Sequence, residues 1–321
     1  MTTTRTEKPR TAGRDVLRHF RHCSYSTGEL ARCRQLVDDH GKSLVLPYDQ
    51  FIEHDCRHLD GDGRPGDPHF IMEIARDGRY TGVAVHYGLS LRYWSALEGA
   101  VPLVVKINGK TSIPPQDNAF SSQTSFVEDA VRIGATAVGY TLYYGSPRQD
   151  VDLPQLAGVR RDCERYGLPL IVWAYPRGKD MVGKGGIDSS YALESAARMA
   201  MEMGATIIKS NVPKAPKDVD AYLENKTIPQ YYRDLEEKWA KGDAAEVLQE
   251  RVDRVVQATQ GVPVLFSGGS EIGDDDVLYR AEVCVKAGCL GFIFGRNMWK
   301  RKKENALEIT EKLRALLHDA D

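Results

Sequence analysis

Apolar residues along this chain gather into short runs, separated by stretches in which they recur every three or four positions. The runs read SLVLPYD (43–49), TGVAVHYG (81–88), VPLVVKING (101–109), ATAVGYTLY (135–143), LPLIVWAY (168–175), ATIIKSNV (205–212), VPVLFSGG (262–269) and CLGFIFGRN (289–297). Each is nearly continuous in apolar character and rich in Val, Ile or Leu, as a strand covered on both faces should be. The stretches between them, such as FVEDAVRIGA and YALESAARMAMEMGA, carry helical periodicity. Several close on a glycine (Gly134, Gly204, Gly288) placed where a helix would stop. Strand and helix alternating eight times predict a (β/α)8 barrel. A doubly wound open sheet is the rival, but it favours a Gly-rich turn after its first strand, and LPYDQFIEHD contains no glycine.

Two segments stand outside the alternation. Residues 1–42 are polar and helix-prone, and read as an N-terminal extension to a barrel domain over 43–321. Residues 213–243 form a long excursion after the sixth run, with a helix expected near 228–241. Long loops on that face of a barrel often serve as lids or interface elements. Composition adds limits. The 321 residues carry a formal net charge of -2, which favours neither nucleic acid nor an anionic membrane. No apolar run approaches the ~20 residues of a membrane span. The N-terminus has no secretory core, and six cysteines without a CxxC suit a reduced, cytoplasmic protein.

In a barrel of this kind the active site lies at the C-terminal ends of the strands. Those ends supply Asp49, His86, Lys106 with Asn108, Tyr143, Trp173 with Tyr175, Lys209, Gly268 with Gly269, and Gly295 with Arg296. The period of two puts Trp173 and Tyr175 on one strand face, Val45, Pro47 and Asp49 on another, and Val104 with Lys106 on a third. Lys209 then reads two ways. It is a Schiff-base nucleophile, deprotonated by burial and by Lys106 as a second cation. Alternatively it is a structural lysine paired with Asp49 or a neighbouring carboxylate. Tyr175 is a general acid/base or a core phenol, and Asp49 a charge partner for lysine or a loop cap. FSGGSE and FGRN sit after the last two runs, where barrels commonly hold phosphate; their small residues admit backbone N–H groups to an anion, and Arg296 suits its oxygens. EHDCRH (53–58) offers Glu53, His54, Cys56 and His58, but at no familiar metal spacing. DGDGRPGD (60–67) fails as a calcium loop because Ile71 stands where a bidentate Glu belongs.

At these strand ends the sequence resembles the archaeal-type class I fructose-1,6-bisphosphate aldolases, a family also found in bacteria. The matching stretches are YDQFIEH, KINGKT, GATAVGYTLYYGS, VWAYPRG, GATIIKS, SGG and GRNMWKR, in order over about residues 40 to 305. The resemblance implies a metal-free, cofactor-free Schiff-base enzyme with Lys209 as the imine-forming lysine, Tyr175 as acid/base and Asp49 assisting proton movement. It places Gln50, Lys106 and Trp173 against the substrate. Gly268, Gly269, Ser270, Gly295 and Arg296 would hold one phosphate and Arg177 the other. It also implies a phosphorylated sugar as substrate and a homo-oligomer. There are departures. Phe51 and Tyr144 stand where the family usually has Gly and Pro, Phe51 narrowing the loop beside Asp49. KDMVGKGGIDSS and most of 213–243 are extra to its shorter members. The expectation is a fructose-bisphosphate aldolase. The alternatives are a deoxy-heptulosonate synthase of the same superfamily, a metal-dependent aldolase or isomerase, and a non-catalytic phosphosugar-binding barrel.

Overall fold

A computed structural model describes residues 15–21, 23–54, 64–93, 99–242, 244–268 and 273–319. Among these residues ten strands form: β1 (Ser43–Tyr48), β2 (Gly82–His86), β3 (Leu103–Lys106), β4 (Asn108–Gly109), β5 (Ser122–Gln123), β6 (Ala137–Tyr144), β7 (Leu170–Pro176), β8 (Ile207–Asn211), β9 (Val264–Ser267) and β10 (Gly291–Phe292). Eight of them, in the order β1-β2-β3-β6-β7-β8-β9-β10, close into a barrel in which every neighbouring pair is parallel. Each barrel strand lies in a separate one of the eight apolar runs, so the expected (β/α)8 fold is the one observed. The remaining pair, β4 and β5, is a short antiparallel ladder beyond β3.

The near-continuous apolar runs have a simple cause, since the two faces of each strand enter different cores. Outward residues such as Leu46, Val83, Val105, Leu142 and Val172 pack beneath the helices. Inward residues Val45, Ala84, Val104, Ala137, Ile171, Ile207, Leu265 and Ile293 fill the lumen. The helices are α1 (Thr27–Gln35), α2 (Gln50–Glu53), α3 (Pro68–Asp77), α4 (Tyr87–Tyr93), α5 (Val127–Arg132), α6 (Gln149–Tyr166), α7 (Ser190–Glu202), α8 (Val219–Glu224), α9 (Gln230–Ala240), α10 (Ala244–Ala258), α11 (Asp274–Lys286), α12 (Arg296–Trp299) and α13 (Lys303–Asp319). Gly134, Gly204 and Gly288 follow helices with φ of 73°, 87° and 82°, the left-handed stop that glycine permits.

The described part of the N-terminal extension closes the lumen from below. Phe20, Cys33, Leu36 and Val37 are buried in one cluster with the inward strand residues. Ser26 caps α1 reciprocally with Glu29, and Arg32 Nη1 donates to the Gly167 carbonyl at 2.9 Å, just ahead of β7. In the excursion, α9 is fastened to the outer helices. Arg251 of α10 forks onto Glu236, which is fully buried. Arg254 makes two 2.9 Å bonds to Glu194 of α7, with its guanidinium 3.8 Å from the Tyr231 ring centre.

Candidate active site

Strand parity carries the chemistry to the top of the lumen. Above the apolar layers, the inward positions are Asp49, His86, Lys106, Thr141, Tyr143, Trp173, Tyr175, Lys209, Asn211 and Ser267. Register sets Trp173 beside Thr141 on one side and Lys209 on the other. Lys106 faces Gly139 across the β3–β6 pair, and the bare glycine is required there. A Cβ on Gly139 would lie 2.7 Å from both the Lys106 Cδ and the Trp173 ring. With that space open, two lysines share one indole: Lys106 Nζ is 4.7 Å and Lys209 Nζ 5.1 Å from the Trp173 ring centre.

The two lysines are treated oppositely. Lys106 is fully buried and its ammonium is saturated: it donates to Glu53 Oε1 in a short contact, to Thr141 Oγ1 at 2.8 Å and to Asp49 Oδ2 at 3.5 Å. Burial disfavours its charge, but Glu53 and Asp49 outweigh burial and hold it above the ordinary lysine range. Lys209 is 6% exposed. Among the described residues its Nζ has no hydrogen-bond partner, only the faces of Trp173 and of Tyr175, whose ring centre is 5.3 Å away. Burial, reinforced by the Lys106 and Arg296 cations, brings it down to about 7 against the pull of Asp49 and Glu53. The structural-lysine alternative thus describes Lys106 rather than Lys209. Asp49, despite burial, is held at about 2 by Lys106 and Lys209.

Tyr175 stays protonated. Burial, then Asp49 and Glu53, push its phenol well above the usual range, while Lys106 and Arg177 work the other way. The Arg177 guanidinium lies 5.2 Å from the Tyr175 ring centre and 5.5 Å from that of Tyr143. A buried network holds the end of β6 in place. Asn108 Oδ1 accepts from the Thr141 N–H at 2.7 Å, and the Asp152 carboxylate accepts from the Tyr140 hydroxyl at 2.6 Å and the Tyr143 N–H at 3.1 Å.

On the opposite side, a cavity of about 110 Å³ is bordered by Asp49, Gln50, His54, Tyr175, Arg177, Lys209, Asn211, Ser267, Gly268, Gly295 and Arg296. Glycine is needed here for close approach. A Cβ on Gly268 would meet Asn297 Nδ2 at 2.5 Å, and one on Gly295 would meet the Pro47 carbonyl at 3.1 Å. His54 borders the cavity with its imidazole pushed down to about 4, by burial and then by the Arg296 and Lys209 charges against the pull of Asp49. The predicted residues Lys209, Tyr175, Asp49, Gln50, Arg177, Gly268, Gly295 and Arg296 therefore meet at one cavity, with Lys106 and Trp173 directly beneath. Gly269 and Ser270 lie outside the described residues.

The structure adds to several expectations. Glu53 lies on a helical turn, α2, that follows Asp49 and lowers Glu53 onto Lys106. Of the other residues of EHDCRH, His54 borders the cavity, and Cys56 and His58 lie outside the described residues. Phe51, 47% exposed, is not among the residues that line the cavity. Sequence reasoning missed Thr141, Asn211 and Ser267. Parity alone could have found Asn211, two residues past Lys209. His86 is 6% exposed, its two ring nitrogens buried and without a hydrogen bond among the described residues, at the level of Lys106 but outside the cavity lining.

Comparison with known proteins gives a consistent result. Residues 44–301 match the model of the DeoC/LacD family aldolases. The class 1 fructose-bisphosphate aldolase of Thermoproteus tenax is 33% identical over 279 residues, covering 87% of this chain and 90% of that protein. A 2-amino-3,7-dideoxy-D-threo-hept-6-ulosonate synthase of Halobacterium salinarum is 30% identical over 294 residues, covering 91% and 92%. One solved structure, an archaeal fructose-1,6-bisphosphate aldolase with its catalytic Lys covalently bound to the carbinolamine intermediate of the substrate, superposes with a TM-score of 0.71. It is 30% identical, covering 90% of this chain and 98% of that one.

Proposed function

The chain belongs to the DeoC/LacD family of aldolases, and from that membership we propose that it is a class I aldolase. It reversibly cleaves fructose 1,6-bisphosphate to dihydroxyacetone phosphate and glyceraldehyde 3-phosphate through a Schiff base on Lys209. One observation carries the assignment: of two buried lysines on the same indole, one is saturated with partners and the other is left without a hydrogen bond among the described residues, at about 7. A free amine on a lysine near neutral pH is what attack on a ketone requires. No cofactor is needed, because the protonated imine is itself the electron sink.

In the cleavage direction the Lys209 amine adds to the C2 carbonyl. Tyr175, protonated at rest, gives its proton to the departing carbinolamine hydroxyl, and water leaves. The phenolate so formed is favoured by Lys106 and Arg177, the two cations that already pull the phenol downward. It then takes the C4 hydroxyl proton as the C3–C4 bond breaks and its electrons flow into the imine. Tyr175 returns the proton to the enamine carbon, and hydrolysis frees dihydroxyacetone phosphate. Asp49 stays anionic and balances the iminium charge. Gly268, Gly295 and Arg296 hold the phosphate nearer the imine. Arg177 receives the far one, with Lys110 nearby, whose charge is disfavoured by burial and by Arg177 until an anion arrives. Fixing both ends converts phosphate binding into orientation at the reacting carbons.

A second reading, a synthase acting on a related ketose phosphate, is supported by the Halobacterium salinarum relative; cleavage of fructose 1,6-bisphosphate into two triose phosphates separates the two. The test is borohydride reduction with dihydroxyacetone phosphate, peptide mapping, and turnover after exhaustive chelation. The adduct is expected on Lys209 with turnover intact; an adduct confined to Lys106 or Lys110 refutes the assignment. Tyr175→Phe should be trapped more slowly, because carbinolamine dehydration also draws on the phenol, and should cleave about 10²–10⁴-fold more slowly. Near wild-type cleavage by that variant would reduce Tyr175 to a wall of the pocket.

A further inference from the structure

Asn211 lies two residues beyond Lys209 on the same face of β8 and borders the cavity with Ser267, Gly268 and Arg296. Its amide is gripped at both ends. Nδ2 donates to Asp188 Oδ1 at 3.0 Å, and Oδ1 accepts from Ser267 Oγ at 2.5 Å. A carboxylate offers no donor, so Asp188 decides which end of the amide is nitrogen. Asp188 is itself fixed: Lys214 Nζ donates to Oδ2 at 2.8 Å, and the Lys214 N–H donates to the Asp188 carbonyl at 2.8 Å. The chemistry above uses none of Asp188, Asn211 and Lys214.

An amide nitrogen carries two hydrogens, and only one of these engages Asp188. The second has no acceptor among the described residues, on a side chain that borders the cavity beside Lys209. We propose that Asn211 donates this hydrogen to the substrate phosphate nearer the imine, and that Asp188, which touches no substrate, is the positioning residue that aims it. Orientation decides the sign of the contact, because a reversed amide would turn its oxygen on an anion. The inference rests on the Schiff-base reading for the location of that phosphate. It adds that the segments following β7 and β8, clasped by Asp188 and Lys214, set the affinity for phosphorylated ligand.

The test uses the whole protein. Inorganic phosphate and dihydroxyacetone phosphate are titrated calorimetrically, and kinetics are measured on fructose 1,6-bisphosphate and on an unphosphorylated ketose. Asn211→Ala should weaken phosphate binding and raise KM for the bisphosphate about ten- to hundredfold, the scale of a hydrogen bond to a charged group, with kcat within a few-fold. The unphosphorylated ketose should be unaffected. Asn211→Asp keeps the shape but presents an anion, and should lose more. Asp188→Ala should share the KM effect, and Asp188→Asn, which retains an acceptor oxygen, should recover most of it. A merely structural role would depress both substrates alike and show no such recovery. Phosphate affinity and KM within twofold of wild type in Asn211→Ala overturn the proposal, as do equal losses on both substrates. A wild-type protein that binds phosphate yet never cleaves the bisphosphate would refute the aldolase reading alone, and the phosphate titration would still decide this one.

Discussion

Two regions of this molecule bury charge, and they do so by opposite rules. Between α9 and α10, one acid meets one base: Glu236 takes the fork of Arg251, and among the described residues each group has a single counter-ion of matching geometry. At the barrel mouth, Lys106 claims Glu53, Thr141 and a share of Asp49, while Lys209 beside it is left without a hydrogen bond among the described residues. The first arrangement fastens an excursion to the barrel. The second leaves a charge poorly compensated, and a poorly compensated lysine surrenders its proton. The numbers of acids and bases are similar in kind; what separates structure from reactivity is how the partners are shared out.

Substitutions should break that comparison in a graded way. The largest effect is expected for Lys209→Met, which should abolish turnover and yet stabilise the fold. The sign follows from linkage. Below about pH 7 Lys209 is charged in both folded and unfolded states and its burial destabilises the fold in full. Between about 7 and the ordinary lysine value near 10.5 the unfolded chain binds the extra proton, so wild-type stability rises with pH. The gain in Tm from Lys209→Met should therefore be greatest near pH 6 and vanish near pH 11; a gain independent of pH would contradict the picture. Glu236→Ala should do the reverse, costing roughly 3–5 kcal/mol of stability in denaturant titration by stranding Arg251. Turnover per folded molecule should be unchanged, and a fall in it would mean that the excursion reaches the chemistry.

The smallest shift in activity profile, beside a loss of stability from stranding Glu53, is expected for Lys106→Met. It removes a cation that disfavours the charge on Lys209, and it releases Asp49 and Glu53, which favour that charge. The acid limb of kcat/KM, expected near pH 7, should move to higher pH. A limb that stays put or moves down would show that Lys106 does not tune its neighbour.

Much of this was legible in the sequence. Period two places Trp173 with Tyr175 and Val104 with Lys106, as the strands do, and the strand-end motifs border the cavity. The illegible part is pairing. Nothing in YDQFIEH says that Glu53 reaches Lys106, because that contact depends on the turn of α2 and on a strand some fifty residues later. Nor could the polar stretch before residue 42 announce a plug, since Phe20, Leu36 and Val37 are scattered and become a surface only against the lumen. Asp188 was invisible for the same reason, as its partners Asn211 and Lys214 come from the next unit of the barrel.

Glycine 139 is a reminder that a site can be shaped by subtraction. Gly134, a few residues earlier, is a glycine for its backbone: its φ is 73° and a side chain there would meet only open space. Gly139 is a glycine for its volume, since the room a methyl group would take is already filled by the Trp173 ring and the Lys106 stem. Position 139 and position 173 therefore draw on one common space, and whatever one gains the other must surrender. A larger residue at 139 calls for a smaller one at 173, and a smaller one there withdraws the aromatic face that both ammonium groups rest upon. An engineer wishing to retune the surroundings of Lys209 has no independent freedom at either position, and any successful change will come as an exchange between the two.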